Sequence, residues 1–166
     1  AFRLVQGWEV SNNAVQTKAS EADIEWFDYN LSETIKTIDD HFHKYRISDA
    51  LMTVYTMVRD EFSGWYLEAV KPAYQQPIDR KTYETTIDFF DKVIRILHPF
   101  MPFITEEIYQ YISKRKKGES IVVAQMPKYL SKSRYFFIQK RLYRLDGHIS
   151  FSDSSSPSCN YTVNIF

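Results

Sequence analysis

Cysteine, glycine and long apolar runs are scarce in this sequence of 166 residues, and each scarcity excludes a class of protein. Cys159 is the single cysteine, so an internal disulfide and a cysteine-based zinc site are both excluded. Four glycines against 12 tyrosines and 12 phenylalanines exclude a collagen-like chain. No run of about 18 apolar residues occurs, so no membrane span is expected. A reducing, cytoplasmic setting is the simplest interpretation.

The short motifs that mark many enzymes are also missing. A glycine-rich phosphate loop, HExxH, GxSxG and CxxC are all absent, and the carboxylates are scattered along the chain. His41 and His43 are two residues apart, which on a helix places them on different faces and argues against a shared metal. From the residues alone, we expect a helical binding or interaction module with no catalytic residue and no metal site.

Charge is balanced over the whole chain but not along it. Residues 1–127 contain 15 Lys and Arg against 19 Asp and Glu, whereas residues 128–166 contain 6 against 2. The main body is therefore not a generally basic nucleic-acid binder, and any contact with a polyanion must use local basic clusters.

Four segments carry apolar residues at helical spacing. Their expected limits are Ser20 to about Phe42, Ser48 to just before Pro72, Asp79 to Leu97, and Pro102 to about Gly118. The connections are short, so neighbouring helices should be antiparallel. The sequence predicts an all-α fold, an antiparallel helical bundle over residues 1–127. Residues 128–166 form an atypical basic and serine-rich tail that we expect to be poorly ordered.

The stretch HPFMPFITEE (98–107) predicts a rigid corner between the last two helices. Proline disfavours helix at the residue before it, and Pro102 suits the first turn of a new helix. Phe100, Met101 and Phe103 are expected to fill the core at this corner. Ile104, Ile108 and Tyr111 fall at i, i+4 and i+7, which is one apolar face of the new helix.

Several segments have both a structural and a functional interpretation. The segments HFHKYR (41–46) and KRKK (114–117) each resemble a cationic helix C-terminus more than a phosphate contact. Trp65 falls on the apolar stripe of its helix and is predicted to be core. Trp8 is either a core plug, which composition favours, or a platform on which an unpaired base stacks.

Four segments in order resemble the anticodon-binding domain of class I aminoacyl-tRNA synthetases of the valine, isoleucine and leucine group. They are FRLVQGW (2–8), DEFSGWYLEAVKP (60–72), HPFMPFITEEIYQ (98–110) and GESIVVAQMP (118–127). The form HPFMPFITEE is most similar to the valine-specific enzymes. The resemblance covers roughly residues 1–127.

The resemblance implies a helical bundle that follows a catalytic domain, with its first helix truncated at the start of this chain. The parent enzyme would use ATP to attach valine to its tRNA. This chain lacks the HIGH-like and KMSKS-like signatures, so we expect no catalysis and no cofactor in it. The implied partners are a valine-accepting tRNA and the catalytic domain.

For Trp8, the resemblance favours the stacking platform over the core plug that composition favours. It implies that Trp8 stacks on an anticodon base with Arg3 beside it, and that Lys44 and Arg46 contact the RNA backbone. Two alternatives stay open. One is a helical protein-interaction module without RNA affinity, and the other is the same domain from an isoleucine- or leucine-specific enzyme.

Overall fold

The computed structural model describes residues 1–113, 115 and 118–129, and this part of the chain is mostly helical. The helical elements in chain order are α1 (Phe2–Gln6), α2 (Lys18–His43), α3 (Ile47–Thr56), a π-helical segment (Met57–Tyr66), α4 (Leu67–Val70), α5 (Arg80–Leu97), α6 (Pro102–Ile112) and a 3₁₀ turn (Ile121–Val123). The strands β1 (Val10–Ser11) and β2 (Ile78–Asp79) pair in parallel. The all-α prediction is confirmed, with this small sheet as an addition.

The helix that begins as α3 continues without a break through the π-helical segment into α4, and we call this continuous element the middle rod. It runs antiparallel to α2. Only residues 44–46 separate the end of α2 from its start, whereas Phe27, early in α2, packs on Tyr66 near its end, with ring centroids 4.7 Å apart.

The last two helices are also antiparallel. The His98 Nδ1 lies 2.8 Å from the Thr105 Oγ1 at the corner that joins them. Further away, the Arg115 guanidinium, beyond the end of α6, donates to the Asp91 carboxylate of α5. The predicted antiparallel order of neighbours is therefore confirmed.

Helices α2 and α5 run parallel, which defines two ends of the bundle. Gln16, just before α2, donates from its side chain to Thr82 in the first turn of α5. At the other extreme the rings of Phe42 and Phe100 stack, with centroids 6.1 Å apart. We call the first extreme the Trp8 end and the second the Pro102 end.

An aromatic cluster holds α2, the middle rod and α5 together. The Phe27 ring lies 5.3 Å from Phe62, 4.7 Å from Tyr66 and 5.1 Å from Phe89, centroid to centroid. Each buried aromatic side chain contributes roughly 1.5–3 kcal/mol. The Tyr66 hydroxyl is 2.9 Å from the Thr86 Oγ1, and burial raises the pKa of Tyr66 far above its usual value.

The start of α2 differs from the prediction by about one turn. Thr17, not Ser20, is the N-cap, and its hydroxyl accepts from the Ser20 N–H at 3.1 Å. Ser20 lies inside the helix because Thr17 takes the extended conformation that a cap requires.

The Pro102 corner is less buried than predicted. Phe100 is half-buried against Phe42, but Met101 is exposed and Phe103 is 91% exposed. Helix α6 turns Thr105 and Tyr109 toward the core, because Thr105 completes the contact with His98 and Tyr109 lies beneath Arg115.

The remaining expectations for α6 are partly wrong. Ile108 packs against the core, whereas Ile104 and Tyr111 are exposed. The helix ends at Ile112, about one and a half turns earlier than predicted, because Ser113 is extended and Arg115 then donates to Asp91 of α5. Three lysines of KRKK and residues 130–166 lie outside the described residues.

The π-helical segment shifts the buried face of the middle rod. Its hydrogen bonds span five residues instead of four, so each turn is wider than in an α-helix. Phe62 and Tyr66 consequently face the core and Trp65 does not; it is 44% exposed. The prediction that Trp65 is core is wrong, because it assumed an unbroken α-helical period.

Candidate nucleic-acid interface

Arg3 lies on an anchored but exposed helix. Val5 of α1 is buried, and the Phe2 ring packs edge-on against Phe90 of α5 at 6.1 Å. These contacts fix α1, while Arg3 itself faces solvent. Within the described part of the chain, Arg3 forms no ion pair, so its guanidinium can accept an anionic partner.

Trp8 is half-buried just beyond the end of α1. Its ring packs against the core cluster, and its backbone N–H donates to the Val5 carbonyl at 3.3 Å. The backbone carbonyl of the next residue, Glu9, accepts from the Ile78 N–H at 2.8 Å and so connects this segment to β2. Part of the indole serves the core and part faces solvent, which is compatible with both interpretations of Trp8.

Lys44 and Arg46 converge on one carboxylate. Asp40 accepts from the Lys44 ammonium at 2.8 Å and from the Arg46 guanidinium at 3.4 Å. The hydrogen bond from Lys44, followed by the charges of Lys44 and Arg46, lowers the pKa of Asp40. Arg46 also lies 3.8 Å from Asp49. All these groups are solvent-exposed, and the two cations are partly neutralised by neighbours.

The four predicted contact residues do not form one site. Arg3 and Trp8 belong to the segment that leads to the Trp8 end, whereas Lys44 and Arg46 lie at the Pro102 end. Helix α5 spans the distance between the ends with 18 residues, or about 27 Å at 1.5 Å per residue.

The structure brings together two tryptophans that the sequence did not link. The Trp26 and Trp65 rings lie 4.5 Å apart, centroid to centroid, at an interplanar angle of 42°. Trp26 packs against the core, whereas Trp65 presents much of its ring to solvent. No signal in the sequence distinguishes Trp65 from Tyr66, because adjacent aromatic residues can both be buried, as Phe89 and Phe90 are in α5.

An acidic side chain lies one turn before Trp65. Desolvation, and then the charge of Asp60, raises the pKa of Glu61. The Glu61 Oε2 is buried without a hydrogen-bond partner among the described residues. The neighbouring Glu68 carboxylate pairs with Lys71 on the surface. This face of the middle rod therefore has no excess of positive charge.

Neither a metal-binding cluster nor a membrane-spanning helix occurs among the described residues. No group of three or more His, Cys, Asp or Glu residues in that part of the chain is arranged to hold a metal ion. No helix there is both long and apolar enough to cross a membrane.

Comparison with known proteins identifies relatives along most of the chain. The family described as "Anticodon-binding domain of tRNA ligase" matches residues 25–147. The chain is 58% identical over 127 residues to a valine--tRNA ligase of Parabacteroides distasonis and 56% identical over 126 residues to one of Phocaeicola vulgatus. A valine--tRNA ligase of Bacillus thuringiensis subsp. konkukian is 37% identical over 105 residues.

These matches cover much of this chain but little of the relatives. The first two alignments span 76% of this chain and 14% of each relative, and the third spans 61% and 12%. The chain thus corresponds to about one seventh of the length of the curated proteins it matches.

Proposed function

Because the chain belongs to the family of anticodon-binding domains of tRNA ligases, we propose that it binds the anticodon arm of a valine-accepting tRNA. The observation that carries this proposal is the high identity to proteins named valine--tRNA ligase along a helical bundle. That name also favours valine over the isoleucine- and leucine-specific alternatives.

The parent enzyme would use ATP to activate valine and transfer it to the tRNA. Both steps belong to a catalytic domain that lies outside this chain. The contribution of the bundle is to hold one end of the tRNA while the other end reacts. In this proposal the chain needs no catalytic residue and no cofactor of its own.

The geometry supports two separate contacts with RNA. At one, Arg3 pairs with a phosphate and Trp8 stacks on a splayed base; stacking of this kind contributes about 1–3 kcal/mol per base. At the other, at the Pro102 end, Lys44 and Arg46 approach the RNA backbone after exchanging the Asp40 carboxylate for a phosphate.

A titration with an RNA hairpin that carries the anticodon stem and loop of a valine tRNA tests the proposal. Trp8→Ala should weaken binding about five- to 150-fold if the indole stacks on a base. Tyr111→Ala, which removes an exposed aromatic ring from α6, is the matched control and should bind as the wild type does. Equal affinity of the Trp8→Ala variant and the wild type would remove Trp8 from the site.

The competing function is a protein-interaction module without RNA affinity. The acidic balance of residues 1–127 favours it. Salt dependence separates the two, because RNA binding releases counterions and weakens as salt rises. Failure of the wild-type chain to bind the hairpin at low salt would contradict the RNA-binding function.

The outward face of α6 suits a second partner, the rest of the parent polypeptide. Met101, Phe103, Ile104 and Tyr111 are exposed on or beside this helix, and we call them the α6 patch. A chain about five to six times longer, as in the relatives, supplies a large neighbouring surface in the same molecule. Covering apolar side chains is favourable by about 25 cal/mol per Å².

Cysteine labelling tests this contact. We expect Phe103→Cys, with Cys159→Ser, to react quickly in the 166-residue chain. The same cysteine should react at least tenfold more slowly when the chain replaces its counterpart in the full-length Parabacteroides distasonis enzyme. Tyr74→Cys, an equally exposed position in the loop after α4, is the control and should react quickly in both. Fast reaction at position 103 in both settings would contradict the contact.

A further inference from the structure

The Trp26–Trp65 pair has the features of a binding platform that the proposed contacts do not use. The Trp65 ring is 44% exposed although indole is the largest side chain available to a core. It is not a loosely attached surface residue, since its ring lies against Trp26 at 4.5 Å and Trp26 packs on the core. An exposed aromatic face is thus held in a fixed orientation.

The backbone explains why Trp65 takes this position. An α-helical turn would keep Trp65 on the stripe that contains Val54 and Val58. The π-helical segment instead gives the core positions to Phe62 and Tyr66. Gly64 favours this wider turn, because a Cβ at that position would lie 3.1 Å from the Arg59 carbonyl oxygen. Widened turns of this kind often occur at functional sites.

We propose that Trp65, supported by Trp26, is a stacking platform for an unpaired nucleobase of the anticodon loop. This inference rests on the proposed function and adds a contact on the middle rod. A rigid aromatic face loses little conformational entropy on binding, and every base offers a π face to it.

The charges near Trp65 favour contact with a base over contact with a phosphate. Asp60 lies 3.6 Å from Arg59, and Glu68 pairs with Lys71, while Glu61 has no cationic partner among the described residues. These groups leave no excess of positive charge to attract phosphates. The contact is therefore with a base, and its loss should not change the number of counterions released on binding.

Three substitutions at one position separate stacking from simple packing. Trp65→Phe keeps an aromatic face and should bind the anticodon hairpin within about threefold of the wild type. Trp65→Leu keeps an apolar side chain against Trp26 but removes the π face, and Trp65→Ala removes both. We expect both of these variants to bind about five- to 150-fold more weakly, with the salt slope unchanged.

Two controls test whether unfolding, rather than loss of stacking, weakens binding by the Trp65 variants. Phe103→Leu and Phe103→Ala make the same changes at an exposed ring on α6 and should leave affinity unchanged. Thermal unfolding of each Trp65 variant, followed by circular dichroism, should remain cooperative. If Trp65→Leu binds as tightly as the wild type, or if it changes the salt slope, the platform is contradicted.

Fluorescence provides an independent readout. In a chain with Trp8→Phe, Trp26 and Trp65 are the two remaining tryptophans, and stacking by a base on Trp65 should quench their emission as the hairpin is added, whereas the further change Trp65→Phe should remove this quenching. Binding without quenching would overturn the inference while leaving the proposed function intact. Absence of any binding by the wild-type chain would instead overturn both.

Discussion

At the scale of single residues, Tyr45 occupies a backbone conformation that suits glycine. Its φ is 57°, in the left-handed region, and its side chain is 89% exposed. The position is where a helix commonly ends on glycine: the Arg46 N–H donates to the His41 carbonyl and the Tyr45 N–H to that of Phe42. A side chain with a Cβ costs about 1 kcal/mol there and gains no packing in return.

We predict that Tyr45→Gly stabilises the chain by about 0.5–1 kcal/mol, because it relieves the left-handed strain without emptying a packed site. Urea unfolding measures the difference. Tyr45→Ala is the matched control and should not stabilise, since alanine keeps the Cβ. A gain of equal size from alanine would mean that the tyrosine ring, and not the backbone, is unfavourable.

Glu61 is a second residue that the fold tolerates at a cost. Its raised pKa means that the carboxylate form is disfavoured in the folded chain. The contribution of Glu61 to the free energy of unfolding is therefore fully present below the usual pKa of glutamate and is lost as pH rises through the raised pKa. Glu61→Gln should therefore match the wild type near pH 4 and become more stable than it by pH 7. Urea unfolding at both values checks this, and a constant difference would contradict it.

At the scale of elements, one glutamate attaches the chain after α6 to the bundle. The Glu106 Oε2 accepts from the Ser120 hydroxyl at 2.7 Å and from the Ile121 N–H at 3.0 Å, and its Oε1 accepts from Gln110 at 2.6 Å. These bonds, with Gln110 first, lower the pKa of Glu106. They also explain why Ile121–Val123, a β-favouring run in the sequence, forms a 3₁₀ turn against α6.

The pH dependence of this attachment has the opposite sign to that of Glu61. A lowered pKa contributes stability above the usual glutamate value, and that stability is lost as pH falls through the lowered value. Glu106→Gln should destabilise the chain at pH 7, and its difference from the wild type should shrink as pH falls from about 5 to about 3. Unfolding curves across this range provide the test. A difference that grows in acid would exclude the charge of Glu106 as the cause.

The sequence predicted the regular elements better than the irregular ones. Helix α5 starts beside Asp79 as expected, and the Asp79 carboxylate caps it by accepting from the Thr82 N–H at 2.8 Å; a helix start depends on a few neighbouring residues. The exposure of Trp65 was not predictable in this way, since the pattern of apolar residues does not reveal a π-helical segment. Phe103 is exposed for a different reason: α6 turns Thr105 and Tyr109 toward the core.

At the scale of the whole molecule, the described core lies between Val5 and Ile121. The proposal that residues 1–127 are the folding unit predicts that a chain truncated after Tyr129 keeps its helical circular dichroism. Its free energy of unfolding should change by no more than about 0.5 kcal/mol, as for other changes that spare the core. A loss of several kcal/mol would show that the tail belongs to the folded domain.

The candidate contacts are the feature least accessible from sequence. The resemblance implied RNA contacts by four residues, Arg3, Trp8, Lys44 and Arg46. Their spacing along the chain does not indicate which of them lie at the same end of the bundle. The parallel course of α2 and α5 separates the two pairs. Whether each pair contacts RNA stays a prediction for the titrations above.

The seating of α1 has a consequence for synthesis on the ribosome. Phe2 needs Phe90 as its partner, yet it is translated 88 residues earlier. At about 5–20 residues per second, α1 is synthesised roughly 4–18 s before the residue of α5 on which it packs. During that interval residues 2–8 lack their packing partner in α5 and stay exposed to solvent. Protease pulses on ribosome-stalled chains should find residues 2–8 cleavable until α5 has emerged, and early protection would mean that another surface shelters them first.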